Sequence, residues 1–544
     1  MPHTPPPSAP RPAWRSAASL AALVALECGV AGWWLGPGFV AWLAAVPGKR
    51  PAGLALLGGL MAVWAHVDGQ RRDYAMVGLS WPLVVGQIAA SAAATAMLAW
   101  LSADPASATA PGMLPLVVAV MLVPTMMALV AVAPSPAHAC RLVVTTLFWV
   151  VCPVAAWVAG DLTAPFWAVS GDTTMWLVER LLGPLAGSPV VRPEPFVIGT
   201  DAFQVRIGPA CSGFHGMGLM TVLLVGSLWW FRAVYRFPQA LLLVPLGGVL
   251  MWLVNVLRIV ALILVGIWIS PAIAVDGFHS VAGWIGFLTV GLGTIWAASR
   301  SPFFSVPETP TPPGGEPVAP AGLATGAGTC AAVDAVPATS CLLPFLVLTA
   351  VTMLTRAFTS GFDLLYPLRV LAVACVLWRL RDTLPWRECR PAVVPVAIGV
   401  VTFACWMLLA PAGAQGSDTA AQDPFQLPQP WAAVWLLVRV VGATVTVPIA
   451  EELFFRGFVS RRCIAADVDA VPIGAFSWFS CVTSSLVFGL LHGEAWLAGI
   501  VAGFLFYAAV RWRGRLGDAV VAHATTNALL AGYVIATGSW ADWG

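Results

Sequence analysis

The composition of this 544-residue sequence excludes ordinary soluble domains, because 59% of its residues are apolar and only 10% are charged. Most of the chain is therefore expected to contact lipid rather than water. The net charge of +2 and the lack of a basic stripe argue against nucleic acid as a partner. The eleven cysteines are scattered singly, which argues against a disulfide scaffold.

Apolar stretches long enough to cross a bilayer recur along nearly the whole chain. A spanning helix needs roughly 20 mostly apolar residues, and about fourteen or fifteen segments approach that length. The sequence therefore predicts an all-α, polytopic transmembrane helical bundle. The predicted spans fall near 17–36, 52–67, 76–100, 113–133, 142–160, 213–231, 239–268, 279–298, 341–356, 366–379, 393–411, 431–453, 475–492, 494–511 and 519–538.

The spans group into two predicted membrane units, 1–300 and 341–544. Between them lies a linker, 301–340, in which Pro, Gly, Ala and Thr dominate and no helical period survives. The first apolar stretch lacks a clear cleavage site and is expected to be a retained anchor. Arginines in short loops place the segment 161–210 outside the cytoplasm, as expected for a multi-pass protein of the inner (plasma) membrane.

The first group of candidate site residues is Cys211, Arg258 and His279. Cys211 precedes a span, Arg258 follows Asn255 in the apolar segment VNVLRIV, and His279 begins the next span. At about 1.5 Å per residue from Gln239, Arg258 lies roughly 30 Å along its helix, so all three residues are expected at the outer membrane face. A thiolate nucleophile, a proton-transferring imidazole and an oxyanion-stabilising guanidinium suit thiol acyl transfer. Simple packing of the cysteine, or an arginine extending to the interface, are the structural alternatives.

These segments resemble the exosortase and archaeosortase family, whose pattern is a Cys in an ACSG-like context, an Arg in an NxxR context and a following His. The pattern is matched by Ala210–Gly213, by Asn255 with Arg258, and by His279. The resemblance implies a cysteine transpeptidase that removes a C-terminal sorting tail at the outer face and transfers the acyl group to a surface acceptor of unknown identity. His215 is a weaker candidate than His279, because it lies one turn inside the Cys211 helix.

The second group begins with two adjacent carboxylates, Glu451 and Glu452, placed at the end of a predicted apolar span. Glu452 and Arg456 are spaced i,i+4 and can pair on one helix face, whereas Glu451 lies about 100° away and can face another partner. Ionisable residues inside spans usually mark functional sites. The predicted topology sets Glu451 on the cytoplasmic side, whereas His492 falls late in its own span, away from that side. For the two residues to meet, the helix near 475–492 must be broken or its boundaries must differ from those predicted.

Two further i,i+4 pairs follow, Phe488 with His492 and His523 with Asn527. One interpretation is that Glu451 acts as general base on a water molecule held by a histidine, while His523 and Asn527 orient water or stabilise an oxyanion. The structural alternative is helix association through hydrogen bonds worth roughly 1–2 kcal/mol each. Zinc bound by Glu451, His492 and His523 is a minor alternative, since no HExxH motif is present.

The EExxxR, FxxxH and HxxxN motifs are similar to those of the CAAX-protease and bacteriocin-processing (CPBP, or Abi) family. That resemblance implies a metal-independent, glutamate-based intramembrane endopeptidase without a cofactor, covering about 341–544. Both patterns in this order resemble exosortase E/protease fusions, whose substrates carry VPEID-CTERM or PEP-CTERM-like signals. A transporter or channel with Arg, Glu and His along an ion path, and a catalytically idle binding module, remain the alternatives.

Overall fold

The computed structural model describes most of the chain from Trp81 onward. The described residues are 81–109, 113–131, parts of 135–147, 167–207 except 188 and 193–195, 213–306 except 233, 336–384, 392–410, and 423–543 except 466. The predicted spans at 17–36 and 52–67, and nearly all of 142–160, lie outside the described residues, as does almost all of the linker.

The prediction of an all-α polytopic membrane protein is confirmed. Among the described residues, six helices are long and apolar enough to cross a bilayer. They are Val85–Ser102, Gln239–Trp268, Val281–Arg300, Ala338–Ala357, Trp431–Arg462 and Leu516–Thr537. Three shorter apolar helices are Gly216–Trp229, Val393–Leu409 and Trp478–Leu490.

The N-terminal half contains helices and one small sheet. The helices are α1 (Trp81–Ser102), α2 (Met113–Ala131), α3 (Trp167–Ala186), α4 (Phe214–Trp230), α5 (Leu243–Trp268) and α6 (His279–Arg300). Strands β1 (Val190–Arg192), β2 (Val197–Gly199) and β3 (Gln204–Arg206) form an antiparallel sheet in the order β1-β2-β3. Sequence analysis predicted neither α3 nor this sheet within 161–210.

Among its described residues, the C-terminal half contains seven main helices. They are α7 (Ala338–Ala357), α8 (Tyr366–Arg379), α9 (Val393–Leu409), α10 (Trp431–Arg462), α11 (Trp478–Leu490), α12 (Trp496–Arg513) and α13 (Leu516–Thr537). A buried apolar core includes Phe455, Phe488 and Phe506, which come from α10, α11 and α12 respectively. All three rings lie beside the guanidinium of Arg456 on α10.

Helix α10 contains two π-helical segments, Gly442–Thr446 and Leu453–Val459, one on each side of the Glu451–Glu452 pair. Such segments rotate the helix face relative to a regular α-helix and occur often at functional sites. The helix does not end at the carboxylates, as the sequence analysis had it. It continues to Arg462.

Helices α11 and α12 approach each other closely at small residues. A Cβ atom at Gly503 would come within 2.8 Å of the Ser485 Cα, and one at Gly499 would come within 2.8 Å of the Gly489 Cα. Small residues at helix contacts allow this approach in membranes. The Gly503 carbonyl at this contact accepts a hydrogen bond from the Arg456 side chain of α10.

The described residues fall into two compact units, one combining the chain up to Trp167 with Phe214–Ser227 and the other combining Ala168–Gly213 with Leu228–Gly544. Within the first unit, α1 packs against α2. Within the second, α6 and the π-helix before it, Ile273–Phe278, pack against α7. The division into functional domains at the 301–340 linker stays a prediction.

Candidate active site in the C-terminal helices

Glu452 and Arg456 form a fully buried ion pair on α10. The Arg456 Nε lies 3.1 Å from the Glu452 Oε2, with side-chain exposures of 1% and 0% respectively. Arg456 also donates to the Gly503 carbonyl at 2.8 Å and lies over the Phe488 ring at 4.7 Å. The i,i+4 pairing predicted from the sequence is thus present, and it is anchored to α12.

His523 on α13 contacts the same carboxylate. Its Nδ1 lies 2.9 Å from the Glu452 Oε1, in a pair that is almost completely buried. The Phe506 ring stacks on the imidazole with centroids 4.6 Å apart and an interplanar angle of 17°. Glu452 therefore joins an arginine of its own helix to a histidine of another.

His492 lies just beyond the end of α11 rather than within that helix. Its Nδ1 is 2.8 Å from the Phe488 carbonyl oxygen, and the indole of Trp406 meets its ring edge-on at a centroid distance of 5.4 Å. Because α11 ends at Leu490, the predicted span 475–492 extended too far. The i,i+4 spacing with Phe488 nevertheless brings the two residues into contact.

Glu451 differs from Glu452 in that its carboxylate has no arginine or histidine within ion-pair distance among the described residues. Its Oε2 is buried and has no hydrogen-bond partner among the described residues. The carboxylate lies within electrostatic range of His492. Glu451 therefore interacts electrostatically with both His492 and Arg456, whereas Glu452 pairs directly with Arg456 and His523.

Asn527, one helical turn beyond His523, does not contact either carboxylate in the described contacts. Its Nδ2 donates to the Ala443 carbonyl at 2.8 Å, in the first π-segment of α10. One amide hydrogen of Asn527 therefore fastens α13 to α10. The other remains for a different acceptor.

The apparent mismatch in depth between Glu451 and His492 is removed by the true helix bounds. Glu451 lies eleven residues before the end of α10 at Arg462, or about 16 Å along the helix axis. Helix α11 is 13 residues long, about 20 Å, and His492 lies two residues beyond its end at Leu490. Because the Ser480 hydroxyl at the start of α11 donates to the Ser460 carbonyl near the end of α10, Glu451 and His492 lie at similar distances from this contact.

The zinc alternative receives no geometric support from the residues that the structure describes. Among them, no three His, Cys, Asp or Glu side chains lie close enough together to hold a metal ion. Of the three predicted ligands, His523 lies beside the Glu452 carboxylate and His492 beside the Phe488 carbonyl.

The N-terminal candidates are described only in part. Arg258 donates to the Asn255 Oδ1 at 3.2 Å and to the His279 carbonyl at 3.0 Å, and its Nη2 lies 3.2 Å from the His279 Nδ1. Gly213, at φ +86°, lies so close to Asn255 that a Cβ atom there would come within 3.1 Å of the Asn255 Nδ2. Cys211 lies outside the described residues. The proposed triad therefore stays a prediction.

The side chain of His215 is likewise not described, so its rank below His279 stays a prediction. His279 begins α6 immediately after the π-helix Ile273–Phe278. This agrees with its predicted position at the start of a span.

Sequence reasoning missed three contacts that shape the C-terminal site: the Trp406 edge against His492, the Phe506 stack on His523 and the Gly503 carbonyl bonded to Arg456. In the sequence, a tryptophan or phenylalanine that contacts a site histidine looks the same as one that only packs within an apolar span. The two glycines four residues apart in LAGIVAGF could have indicated close helix approach.

The fold and the site define a class: a multi-pass helical membrane protein with a buried Glu–Arg–His group flanked by a second carboxylate and a second histidine. Residues 433–529 match the family model for the type II CAAX prenyl endopeptidase Rce1-like proteins. The matched range includes Glu451, His492, His523 and Asn527 but no residue of the Arg258 group. The C-terminal part is therefore similar to a CAAX-type intramembrane endopeptidase. No curated protein and no solved structure matches the chain.

Proposed function

We propose that the C-terminal helices form an intramembrane endopeptidase in which Glu451 is the general base. The observation that carries the proposal is the buried Glu451 Oε2, which has no hydrogen-bond partner among the described residues and lies within electrostatic range of His492. A buried carboxylate without a structural partner is an expensive feature. The match of residues 433–529 to the CAAX endopeptidase model supports its interpretation as a catalytic group.

The chemistry is peptide hydrolysis. His492 holds one hydrogen of a water molecule, and Glu451 removes the other proton as the water oxygen attacks the scissile carbonyl. The carbon–nitrogen bond of the tetrahedral intermediate then breaks, and Glu451 returns its proton to the leaving amine. The products are a new carboxyl terminus and a new amino terminus.

The name of the matched family points to a prenylated C-terminal peptide as the first substrate to test. A second candidate is the apolar tail of a protein with a C-terminal sorting signal. Both are short peptides with a lipid-like or membrane-spanning portion, which suits a reaction centre surrounded by Phe455, Phe488 and Phe506.

The test uses the full chain in liposomes with either a farnesylated CaaX peptide or a tagged apolar tail that lacks the sorting motif, with cleavage positions read by mass spectrometry. Glu451→Gln should reduce cleavage by roughly 10⁴-fold, because removing the general base costs the upper end of the usual range. The matched control is Asp467→Asn, since Asp467 is an exposed carboxylate at the loop after α10. Full cleavage by Glu451→Gln would contradict the proposal.

A second activity is favoured by the contact between Arg258 and His279. We propose that the Cys211 thiolate attacks the carbonyl at a sorting motif, that His279 transfers the proton to the leaving amine, and that Arg258 stabilises the oxyanion. A surface nucleophile then takes over the acyl group. This activity would operate at the outer face of the inner (plasma) membrane on proteins with C-terminal sorting tails.

The two activities are separable by mutation. Cys211→Ala should block removal of the sorting tail, whereas Glu451→Ala should leave that step intact. Cys140→Ala is the matched control, because Cys140 is an exposed thiol. Loss of tail removal in Glu451→Ala, with full activity in Cys211→Ala, would reverse the assigned roles. The transporter alternative is not favoured, since the family match concerns an endopeptidase.

A further inference from the structure

We infer that Glu452 is a positioning residue: it fixes the ring hydrogen of His523 on Nδ1 and leaves Nε2 as a hydrogen-bond acceptor in the site. The inference rests on the proposed endopeptidase function and deepens it. Sequence analysis gave His523 the role of an oxyanion or water-orienting contact. The geometry assigns it the acceptor role and makes Glu452 responsible for it.

The first step concerns the direction of the hydrogen bond between Glu452 and His523. The Glu452 Oε2 lies 3.1 Å from the Arg456 Nε in a pair with essentially no exposure. A buried guanidinium requires an opposite charge close by, so Glu452 is a carboxylate and can only accept hydrogen bonds. The His523 Nδ1, at 2.9 Å, must therefore carry the hydrogen that it donates to Oε1.

The second step concerns the orientation of the ring. Phe506 covers one face of the imidazole, and Phe488 meets it at a centroid distance of 5.8 Å and a near-perpendicular 78°. A 180° flip of the ring would keep the stack on Phe506 but would place Cδ2 in the position of Nδ1, so the hydrogen bond to Glu452 is what holds the observed orientation. Arg456 already supplies a counter-charge to Glu452, so the inference needs only one ring hydrogen, on Nδ1, and leaves a lone pair on Nε2.

The third step is a comparison with His492. The His492 Nδ1 lies 2.8 Å from the Phe488 carbonyl, which also can only accept, so this ring carries its hydrogen on Nδ1 as well. Two independent oxygen acceptors thus impose the same tautomer on both histidines. In each histidine, Nε2 is then a hydrogen-bond acceptor and cannot donate to an oxyanion. Among the predicted site residues of the C-terminal helices, this leaves the second amide hydrogen of Asn527 as the oxyanion donor.

The direct test is nitrogen-15 NMR of the full chain in liposomes with labelled histidine. The sequence contains only seven histidines, so the His523 signals can be assigned by comparison with His523→Gln. We expect a protonated Nδ1 and an unprotonated Nε2 for His523 in the unaltered protein. A hydrogen on Nε2, with or without one on Nδ1, would overturn the inference.

The second test removes the acceptor without leaving a charge unpaired. The double variant Glu452→Met with Arg456→Met replaces the buried ion pair by apolar side chains of similar size, an exchange that proteins often tolerate. We expect the His523 spectrum to become a mixture of tautomers and kcat for peptide cleavage to fall by roughly 10²- to 10⁴-fold with an unchanged KM. An unchanged kcat would overturn the inference.

The matched control is Asp518→Asn, because Asp518 is also a fully buried carboxylate at 0% exposure and lies on α13 with His523. It pairs with Arg513, so the His523 spectrum and kcat should both stay unchanged. Failure of the proposed function gives a different result. If the proposed function is wrong, either the unaltered protein does not cleave the peptide or the Glu451→Gln variant still cleaves it. Either result is independent of the His523 tautomer in the spectrum.

Discussion

The two polar groups of this protein hold an arginine among apolar helices in different ways. Arg456 is almost completely buried and pairs with a carboxylate of 0% exposure. Arg258 is only half-buried, and its described contacts are to a neutral amide, an imidazole and a backbone carbonyl.

The difference follows from the cost of burying charge. A fully desolvated guanidinium is stable only beside an opposite charge with further hydrogen bonds, and Arg456 obtains these from Glu452 and the Gly503 carbonyl. Arg258 keeps part of its surface exposed and can be held by neutral groups. The first arrangement makes Arg456 structural, whereas the second leaves Arg258 suited to contact a developing negative charge.

The largest effect that tests this comparison is expected for Arg456→Gln. The substitution leaves Glu452 buried without its counter-charge, so the free energy of unfolding should fall by about 3–5 kcal/mol. Unfolding in mixed micelles of mild detergent and dodecyl sulfate measures it. The control is Arg462→Gln at the exposed end of the same helix, expected within about 0.5 kcal/mol of the unaltered protein. Equal effects at the two positions would contradict the importance of the buried pair.

A smaller loss is expected for Arg258→Gln, because the contacts described for Arg258 are to neutral groups. Hydrogen bonds that involve a charged group contribute about 1.5–3 kcal/mol, which sets the expected loss in the same unfolding measurement. Arg300→Gln, at an exposed position on α6, is the control. A loss as large as that of Arg456→Gln would mean that Arg258 has a buried counter-charge after all.

The smallest effect is expected for Asn527→Ala. This change removes the hydrogen bond to the Ala443 carbonyl that ties α13 to α10, and should cost about 0.5–1.5 kcal/mol of unfolding free energy. Thr537→Ala, which removes an exposed hydroxyl from the same helix, should cost less. Equal losses would show that Asn527 adds nothing to the fastening of the two helices.

The candidate site could be predicted in its residue types and in its contacts within one helix, but not in its contacts between helices. The i,i+4 spacing of Glu452 and Arg456 anticipated their ion pair. Nothing in the spacing indicated that His523 would contact Glu452 rather than Glu451. The π-segments on either side of the carboxylates change which face of α10 meets α13, and local sequence does not reveal that change.

Helix ends show the same division. The span carrying Glu451 was expected to stop near residue 453, yet α10 continues to Arg462. Arg461 near this end is buried at 2% exposure because it donates to the Val336 and Val471 carbonyls of distant segments. Arg461, which the sequence places in a loop after the span, is thus buried inside the protein.

The sequence by itself determined that this chain folds as membrane helices and that carboxylates, arginines and histidines are buried among them, because hydropathy and residue type are local properties. Only the tertiary structure decided that, among the described contacts, Glu452 rather than Glu451 holds both an arginine and a histidine. Partners on different helices depend on helix rotation, depth and close approach at glycines. These are properties of the packed bundle rather than of any one segment.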